Sequence, residues 1–373
     1  MKIGLIFFHS FSSPGGVKRH VLGLQKEFIK RGISVKIIAP RRRKAEDYGE
    51  DVILLGTSFP VNFSGSQADF CVNINPLAVR RVLQKEKFDI LHFHNFGFPS
   101  ISQILNKSES LNIMTCHADL SGSRFLKIMP YLVRLLNRAV QRKINGIIGV
   151  AYSNIKFLDK YSGPKIVIPN GVDLDEFNPG VPKIKKFLDG KINILFVGRI
   201  EKRKGLIYLL KAYRILTQKF SNLRLIIVGE GELRESCEGW VKRHHLKEVY
   251  FEGQAADEKI PSYFATADIF VSPAIFGESF GLVLLEAMAC GVPMVVFANQ
   301  GYGELLKGKR GEEFLVPPKD YKALAEKIAL LVKNDSLRKE ISRKVIIEAQ
   351  EYSWSNVADR VLDFYQFCKK QKS

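Results

Sequence analysis

Cysteine is scarce in this 373-residue chain, which holds only five. Their number is odd, they are scattered along the chain, and none has the spacing of metal ligands. A disulfide framework is therefore not expected, and the cysteine usage fits the cytosol, where thiols stay reduced. The five are Cys71, Cys116, Cys237, Cys290 and Cys368.

Long apolar runs are also missing. No stretch reaches the roughly 20 consecutive apolar residues that a transmembrane helix needs. Lys2 and the apolar run at 3–8 look like the start of a signal peptide, but the run is too short and lacks a small-residue cleavage site. We interpret it as the first β-strand. Internal repeats and low-complexity tracts are absent, and the length suggests two domains.

Acidic residues are too few to balance the basic ones. The chain has 38 Asp and Glu against 57 Lys and Arg, a formal net charge of +19. Such an excess indicates an anionic partner: a membrane surface, a nucleic acid or a phosphorylated substrate. Nucleic acid is not expected, because base-stacking motifs with interleaved aromatic residues are absent. A non-catalytic nucleic-acid-binding protein is kept only as a remote alternative.

Two basic clusters stand out in the N-terminal half, at 41–44 and at 124–143. In the second cluster, basic residues are intermixed with apolar ones over the length of a helix. This pattern predicts a basic amphipathic helix that binds an anionic membrane surface. The alternative is a core-packed helix with a solvated basic face.

Apolar runs bounded by turn residues alternate with helical patterns along the chain. The alternation predicts an α/β fold with doubly wound parallel sheets. A Pro/Gly-rich stretch at 178–182 separates two such series. We therefore expect two Rossmann-like domains facing a cleft, at 1–178 and 179–355, and a final helix at 356–373. The predicted strands are 2–7, 35–39, 90–94, 113–117, 146–150 and 166–168, then 192–197, 223–228, 249–253, 269–272 and 293–297.

A Ser-Phe-Gly stretch runs into an apolar helix in the last third of the chain, between Glu278 and Glu286. A helix N-terminus offers unpaired N–H groups and a partial positive charge, so it can hold a phosphate. The two carboxylates repel phosphate and suit hydroxyl groups. Phosphate and sugar together indicate a nucleotide-sugar, whereas the alternative is a capped core helix.

A basic turn follows the predicted strand 192–197. Arg199 and Lys204 lie five residues apart in this turn, at the carboxyl end of the strand. This end of a strand faces the crevice where α/β folds bind ligands. The two cations can neutralise a diphosphate leaving group there. The alternative is a solvated basic turn.

Together, the Glu-x7-Glu segment and the Gly-Arg-x4-Lys-Gly turn closely resemble the retaining glycosyltransferases of family 4 (group 1), which have the GT-B fold. The resemblance extends over essentially the whole chain, and it implies that the final helix crosses back to the N-terminal domain. It includes the glycine loop at 15–17, the segments 169–173 and 226–231, and the strand ends at His94 and His117. Within the family, 14–21 and 61–66 look most like the phosphatidylinositol mannosyltransferases.

The resemblance implies a role for each candidate residue. His117 is placed near the anomeric carbon of the transferred sugar, with His94 and Asn95 as second candidates on the acceptor side. Glu278 binds sugar hydroxyls and Glu286 binds the ribose, while Gln254 marks the edge for the base. The diphosphate and sugar are contacted by Gly15, Gly16, Arg199, Lys204 and Gly229, and by the backbone of Ser279, Phe280, Gly281 and Leu282.

One position departs from the family pattern. The family usually has an acidic or small residue directly after the histidine, and this chain has Ala118 and then Asp119. The part that Asp119 plays in catalysis is therefore left open.

No divalent metal is expected, because two cations already stabilise the negative charge that develops on the departing diphosphate. Asp173 and Asp175 resemble the Asp-x-Asp metal motif of the other glycosyltransferase fold, but they lie in the interdomain segment, and we interpret them as structural. No residue has the pattern of a covalent nucleophile. By resemblance, retention proceeds on one face of the sugar, with the acceptor hydroxyl entering as the diphosphate leaves.

The leading hypothesis is a transferase that moves a hexose, mannose from GDP-mannose, to a lipid-linked or polyol acceptor in glycolipid biosynthesis. It would act in the cytoplasm, peripherally bound to the inner face of the plasma membrane. The alternatives are a transferase of the sucrose-phosphate or cell-wall glycan type, with a soluble or undecaprenyl-linked acceptor, and a nucleotide-sugar 2-epimerase. A dehydrogenase is disfavoured, since no Gly-x-Gly-x-x-Gly follows the first strand.

Overall fold

The computed structural model describes residues 1–11, 15–43, 45–63, 66–72, 75–95, 100–117, 142–158 and 160–372. The chain forms two compact units. Unit 1 comprises Met1–Gly171 and Trp354–Ser373, and unit 2 comprises Val172–Ser353. Along the chain, unit 1 gives way to unit 2 between Gly171 and Val172, before the Pro/Gly-rich stretch at 178–182. The reason is local, because Val172 bridges to Ser353 and the ring of Phe177 packs against Phe264 of unit 2.

Unit 1 is built on an eight-stranded sheet with the order β4-β3-β2-β1-β5-β6-β7-β8. Adjacent strands are parallel except β3 and β4, which form an antiparallel hairpin. The strands are β1 (Lys2–Phe7), β2 (Ser34–Arg41), β3 (Val52–Phe63), β4 (Ser66–Val72), β5 (Ile90–His94), β6 (Leu111–Cys116), β7 (Gly146–Gly149) and β8 (Lys165–Val167).

Helices cover this sheet and bury its apolar side chains. They include α1 (Gly16–Lys30), α2 (Pro76–Glu86), α3 (Ser100–Leu105) and the C-terminal helix Trp354–Lys372. Two glycines let the C-terminal helix approach closely, because a Cβ at Gly23 or Gly171 would lie 2.3 or 2.4 Å from the ring of Trp354. The last helix of the chain therefore completes the core of the first unit.

Unit 2 is built on a six-stranded, all-parallel sheet with the order β11-β10-β9-β12-β13-β14. Its strands are β9 (Ile192–Val197), β10 (Leu223–Val228), β11 (Val249–Gly253), β12 (Ile269–Ser272), β13 (Met294–Phe297) and β14 (Leu315–Val316). Its helices are α4 (Leu206–Thr217), α5 (Arg234–Arg243), α6 (Ile260–Thr266), α7 (Leu282–Ala289), α8 (Gln300–Leu306), α9 (Tyr321–Lys333) and α10 (Asp335–Gln350).

The predicted fold class, two parallel-sheet α/β domains, is confirmed. Six predicted strands have the observed bounds, namely β1, β5, β9, β10, β11 and β12. The β3–β4 hairpin and the two-residue strand β14 were not predicted. The basic segment at 124–143 lies outside the described residues except for Arg142 and Lys143. No helix in the described ranges is long and apolar enough to span a membrane.

The strand order reverses once in each sheet, and this reversal locates the candidate sites. In unit 1 the chain order reverses between β1 and β5, and in unit 2 between β9 and β12. Ligands of open α/β sheets bind beyond the carboxyl ends of the strands at such a switch point. We therefore expect the ligand sites at the loops after β1 and β5 in unit 1, and at those after β9 and β12 in unit 2.

Candidate active site

The basic turn after β9 folds around a buried carboxylate. Residues Lys202–Lys204 form one turn of 3₁₀ helix before Gly205 caps α4. The side chain of Glu201 is 9% exposed and pairs with Arg203, whose Nη2 lies 2.8 Å from Glu201 Oε1. Arg199 makes a looser contact with the same oxygen at 3.5 Å and stays half exposed. Glu201 therefore holds both arginines at the carboxyl end of the strand.

The glutamate after β12 joins this cluster. Glu278 Oε1 accepts from Arg203 Nη1 at 2.5 Å and lies 2.8 Å from Lys204 Nζ. The structure thus brings together Arg199, Lys204 and Glu278 as the sequence suggests, and it adds Glu201 and Arg203. Three cationic and two anionic side chains leave one positive charge in excess. Such a cluster suits an anionic group with hydroxyls beside it.

The segment Gly277–Gly281 packs against helix α8. A Cβ at Gly301, in the first turn of α8, would lie 2.3 Å from the carbonyl oxygen of Glu278. The ring of Tyr302 lies beneath Gly281, which has a φ of +110° and caps α7. The Tyr302 hydroxyl is 2.8 Å from Ser272 Oγ at the end of β12. Because glycine alone fits these contacts easily, the segment and α8 form one packed layer.

The pKa of Tyr302 reflects the electrostatics of this layer. Burial raises the pKa of its phenol well above the ordinary value, and the carboxylate of Glu278 raises it further. The phenol therefore stays protonated and can donate or accept a neutral hydrogen bond.

The side chain of Asn299 fixes the start of α8. It accepts a hydrogen bond from Tyr302 N at 3.1 Å and donates one to Ala274 O at 3.1 Å.

The remaining predicted donor residues occupy distinct positions in unit 2. Ser279 and Phe280 precede Gly281, and Leu282 begins α7, so their backbone N–H groups belong to the helix N-terminus. Glu286 lies in α7 with 6% of its surface exposed. Burial raises the pKa of the nearby Cys290 thiol to about 12, with the charge of Glu286 as the second cause. The carboxylate is thus close to the C-terminal end of α7.

Gly229 and Gln254 follow β10 and β11. A Cβ at Gly229 would lie 2.1 Å from the carbonyl oxygen of Gly198, so only glycine lets these two strand ends pack side by side. Gln254 is exposed directly after the edge strand β11, two strands away from β9. It is not part of the charged cluster. Asp173 accepts hydrogen bonds from the N–H groups of Asp175 and Glu176, which is a structural use of that aspartate.

The site in unit 1 is a cluster of buried histidines. His94 ends β5, and His117 directly follows β6. His94 Nδ1 lies 3.1 Å from His117 Nε2, and both rings are buried. Asn95 adopts a left-handed conformation with φ +69°, and its side chain accepts from the backbone N–H of His117 at 2.8 Å. This hydrogen bond to Asn95 therefore fixes the backbone position of His117.

Two further histidines belong to this cluster and were not predicted. His20 projects from α1, and its Nδ1 lies 2.8 Å from Asn170 Oδ1. His92 lies two residues before His94 in β5, with Nε2 at 2.6 Å from Thr115 Oγ1 and Nδ1 at 2.6 Å from the hydroxyl of Tyr365. The spacing of His92 and His94 was the available signal, since residues i and i+2 of a strand share one face.

Burial makes all four imidazoles neutral near pH 7. It lowers the pKa of His20 to about 4, against the opposing hydrogen bond to Asn170. Burial also lowers the pKa values of His92, His94 and His117 well below 6.5, and neighbouring histidines lower them further. His117 therefore acts as a neutral hydrogen-bonding group rather than as a cation.

The glycine loop before α1 is only partly described. Gly15 caps α1 and Gly16 is its first residue, and both are exposed. A Cβ at Gly15 would meet nothing within 4 Å. Packing among the described residues therefore does not require a glycine at this position. Asp119 lies outside the described residues.

The folds of solved structures define the class of protein. Sucrose-phosphate synthase from Thermosynechococcus elongatus superposes with a TM-score of 0.80 at 20% identity, covering 99% of each chain. Anabaena HepE in complex with UDP and glucose gives a TM-score of 0.74 at 20% identity, over 97% of this chain and 99% of that chain. Both carry the two-unit GT-B architecture, so the fold is that of a GT-B glycosyltransferase.

The sequence comparisons define the family. Residues 14–176 match the model described as Glycosyltransferase Family 4, and residues 181–347 match that of Glycosyl transferases group 1. The phosphatidyl-myo-inositol mannosyltransferase of Mycobacterium leprae is 33% identical, over 98% of this chain and 96% of its own length. A protein of the same name from Propionibacterium freudenreichii is 31% identical, over 98% and 94%. The chain belongs to glycosyltransferase family 4 and is a nucleotide-sugar glycosyltransferase, as the sequence predicts.

Proposed function

We propose that this enzyme transfers a mannosyl residue from GDP-mannose to a lipid-linked polyol acceptor, with retention of configuration. The observation that carries the acceptor and the sugar is the likeness to phosphatidyl-myo-inositol mannosyltransferases, at 33% identity over 98% of the chain. Lipid-linked inositol is a polyol, which agrees with the acceptor class expected from the sequence.

The charged cluster of unit 2 supports a nucleotide-sugar donor. Arg199 is half exposed and Lys204 belongs to the same turn, so we assign both to the diphosphate that departs. The N-terminus of α7 offers backbone N–H groups to the same phosphates. Glu278 accepts hydrogen bonds and is suited to the sugar hydroxyls, and Glu286 is assigned to the ribose. Because the cations supply the positive charge, we propose that transfer needs no divalent metal.

His117 is assigned to the transferred sugar. Its imidazole is neutral, so it can hydrogen-bond a sugar hydroxyl and add no charge near the anomeric carbon. Retention then runs on one face of the sugar: the bond to the diphosphate breaks, the acceptor oxygen bonds to the same face, and its proton passes to the leaving phosphate oxygen. Positive charge fixed beside that phosphate stabilises the transition state, and a lost contact of this kind costs about 2.7–4 kcal/mol.

The net charge of +19 supports a location at an anionic membrane surface. We propose that the enzyme lies peripherally on the cytoplasmic face of the plasma membrane, where a lipid-linked acceptor is found. The basic segment at 124–143 is the proposed contact. The enzyme should sediment with anionic vesicles at low salt and much less at high salt, because each basic residue near the surface contributes about 1 kcal/mol that salt screens.

A charge reversal tests this contact. Arg134→Glu, Arg138→Glu and Arg142→Glu together should reduce turnover of the lipid acceptor far more than hydrolysis of the donor. Neutral vesicles serve as the control and should bind weakly. If the triple variant binds anionic vesicles like the wild type, the segment is a packed core element and the membrane assignment fails.

The donor is tested by thermal unfolding with GDP, UDP, GDP-mannose and UDP-glucose. A ligand that binds only the folded state stabilises it by about 2.7 kcal/mol at a hundredfold excess over Kd. GDP and GDP-mannose should raise Tm most. Transfer of labelled mannose to vesicles that contain phosphatidylinositol should follow, and vesicles without it serve as the control.

A different donor is the second candidate, because HepE of the same fold was solved with UDP and glucose. A larger Tm shift with UDP-glucose than with GDP-mannose would favour it and refute the mannosyl donor. A 2-epimerase is separated by product analysis, since it would convert the donor sugar with no acceptor present.

A further inference from the structure

Three of the buried histidines of unit 1 converge on one point. They come from separate elements: His20 from α1, His94 from the end of β5, and His117 from the residue after β6. One nitrogen of each ring lies within 4.8 Å of the others. Within the described ranges, no other group of three or more His, Cys, Asp or Glu residues is placed closely enough to share a metal ion.

Two nitrogens of this group lack partners. Nε2 of His20 and Nε2 of His94 are buried and make no hydrogen bond to any described residue. Native proteins pair nearly all buried polar atoms, and leaving one unpaired costs about 1–3 kcal/mol. Because His20 and His94 each contribute one atom to a group of ring nitrogens that lie within 4.8 Å of one another, these orphaned nitrogens indicate a site that a ligand completes.

The protonation of His20 fits a metal ligand. Its Nδ1 faces the oxygen acceptor Oδ1 of Asn170 at 2.8 Å, so Nδ1 carries the proton and Nε2 presents a lone pair. A metal-bound histidine usually donates its other N–H to a carbonyl or carboxylate in this way, which fixes the tautomer and the ring orientation. Asn170 supplies that support here.

The ring spacing also fits one ion. The centroids of His20 and His117 are 4.6 Å apart, those of His20 and His94 are 5.3 Å apart, and those of His94 and His117 are 5.4 Å apart. Imidazoles that bind one tetrahedral ion at about 2.0–2.1 Å have centroids about 5 Å apart. The observed spacing therefore matches that of three imidazoles on one ion.

We propose that His20, His94 and His117 form a binding site for a transition-metal cation of the Zn²⁺ class. Three neutral imidazoles suit Zn²⁺, Co²⁺ or Ni²⁺, whereas Mg²⁺ and Ca²⁺ require oxygen ligands that these residues do not offer. A set of three histidines leaves a fourth coordination position for water or a substrate oxygen.

The site has a consequence for the reaction. His117 cannot bind the metal and the transferred sugar with the same nitrogen, so the metal is an inhibitor of transfer and not a cofactor. This consequence rests on the proposed role of His117, whereas the metal site itself rests only on the geometry of unit 1. The two claims can therefore fail separately.

The site is tested on the full chain after removal of metals with a chelator. Titration with Co²⁺ should give one equivalent of bound ion and the visible absorption of a four-coordinate site with three nitrogen ligands. Zn²⁺ should displace Co²⁺, and Mg²⁺ in excess should not. If the wild-type protein binds no stoichiometric Co²⁺ or Zn²⁺, the proposal is overturned, whatever the variants do.

Variants locate the site. His20→Gln should abolish the Co²⁺ spectrum, and Asn170→Ala, which removes only the supporting hydrogen bond, should weaken binding about 10–100-fold. His245→Gln, at an exposed histidine of unit 2, is the matched control and should bind like the wild type. Circular dichroism checks that each variant folds. An unchanged spectrum in folded His20→Gln would place the metal elsewhere and overturn the assignment.

Inhibition provides the second readout. Zn²⁺ should inhibit sugar transfer by the wild type at the concentrations that displace Co²⁺, and Asn170→Ala should require about 10–100-fold more. If Zn²⁺ binds at the site without inhibiting transfer, the metal site stands and the role of His117 at the sugar falls.

Discussion

The two units place their polar clusters at equivalent points of similar sheets and fill them with opposite chemistry. The cluster of unit 2 is charged, with Glu278 held by Arg203 and Lys204. The cluster of unit 1 is neutral, and its core is the contact between His94 and His117. The sheet topology therefore decides where a site lies, while the residue types decide what it binds.

Burial explains why the two clusters remain so different. A buried charge is tolerated only when it is paired, which unit 2 achieves with its ion pairs. A buried imidazole without an anionic partner loses its charge instead, and this happens in unit 1. Loss of a cation should therefore affect unit 2, and acid should affect unit 1.

The largest expected effect comes from removing a cation of unit 2. Arg199→Ala and Lys204→Ala should each lower kcat by ~10²–10³, because each removes positive charge from the departing diphosphate. Steady-state kinetics with the donor checks this. Lys202→Ala, at an exposed residue of the same turn, is the matched control and should retain kcat. Near-wild-type rates in both active-site variants would refute the assignment.

The two units should differ in how acid changes their free energy of unfolding. His20 has a folded-state pKa of about 4 against 6.5 when unfolded, so between pH 6.5 and 4 the unfolded chain gains the proton and the folded chain does not. The free energy of unfolding should therefore fall as pH drops from 6.5 to 4, by roughly 3 kcal/mol from this group, and should not change above 6.5 on its account. His92, His94 and His117 act in the same direction.

The chain offers a reporter for this measurement, since it has two tryptophans, one in each unit. Trp354 lies 5.3 Å from the His20 ring, so Trp240→Phe leaves a fluorescence signal from unit 1 alone. Hydrogen exchange of unit 2 peptides is the control and should stay slow at pH 5. Loss of protection in both units at one pH would contradict the difference between them.

A smaller effect on stability is expected from replacing two helical glycines with alanine. Gly23→Ala should destabilise unit 1 by about 1–3 kcal/mol, because the added methyl group collides with Trp354. Gly239→Ala is the matched change in α5 of unit 2, where a Cβ meets nothing within 4 Å. It should stabilise by about 0.5–1 kcal/mol, as alanine favours helix. Thermal unfolding of both variants checks the signs, and equal signs would contradict the packing argument.

The smallest expected effect is that of a chelator. EDTA should leave transfer activity at or slightly above its starting value, because Arg199 and Lys204 supply the charge and a metal at the histidine cluster would only inhibit. Activity before and after dialysis against EDTA measures this. Complete loss of activity, restored by Mn²⁺ or Mg²⁺, would show that unit 2 depends on a divalent ion.

The charged cluster was easier to predict than the neutral one, for a physical reason. Arg199 and Lys204 lie in the turn after the apolar run of β9, and Glu278 lies just before the apolar run of α7, so local patterns mark all three. Arg203 stands in the same turn, but only the fold shows that it pairs with Glu278, 75 residues away. A local sequence pattern predicts the position of a residue in the fold, but it does not predict which distant residue the side chain contacts.

The histidine cluster depends still more on distant contacts. His20 meets Asn170 across 150 residues of sequence, and His92 meets Tyr365 across 273. His117 and His94 were predicted from the resemblance to family 4, in which they match two strand ends. His20 lies on a helix, and only the packing of α1 against the sheet brings it to them. The β3–β4 hairpin was missed for a related reason, since its pairing breaks the parallel pattern of the other strands.

The return of the C-terminal helix to unit 1 governs the order in which a growing chain can fold. Unit 2 is continuous from Val172 to Ser353 and can fold once it leaves the ribosome. Unit 1 begins first but lacks Trp354 and Tyr365 until unit 2 has been made, on the order of ten seconds or more later at ~5–20 residues per second. The domain translated first is therefore finished last, and until then the apolar surface that the helix will cover is open to chaperones and to aggregation.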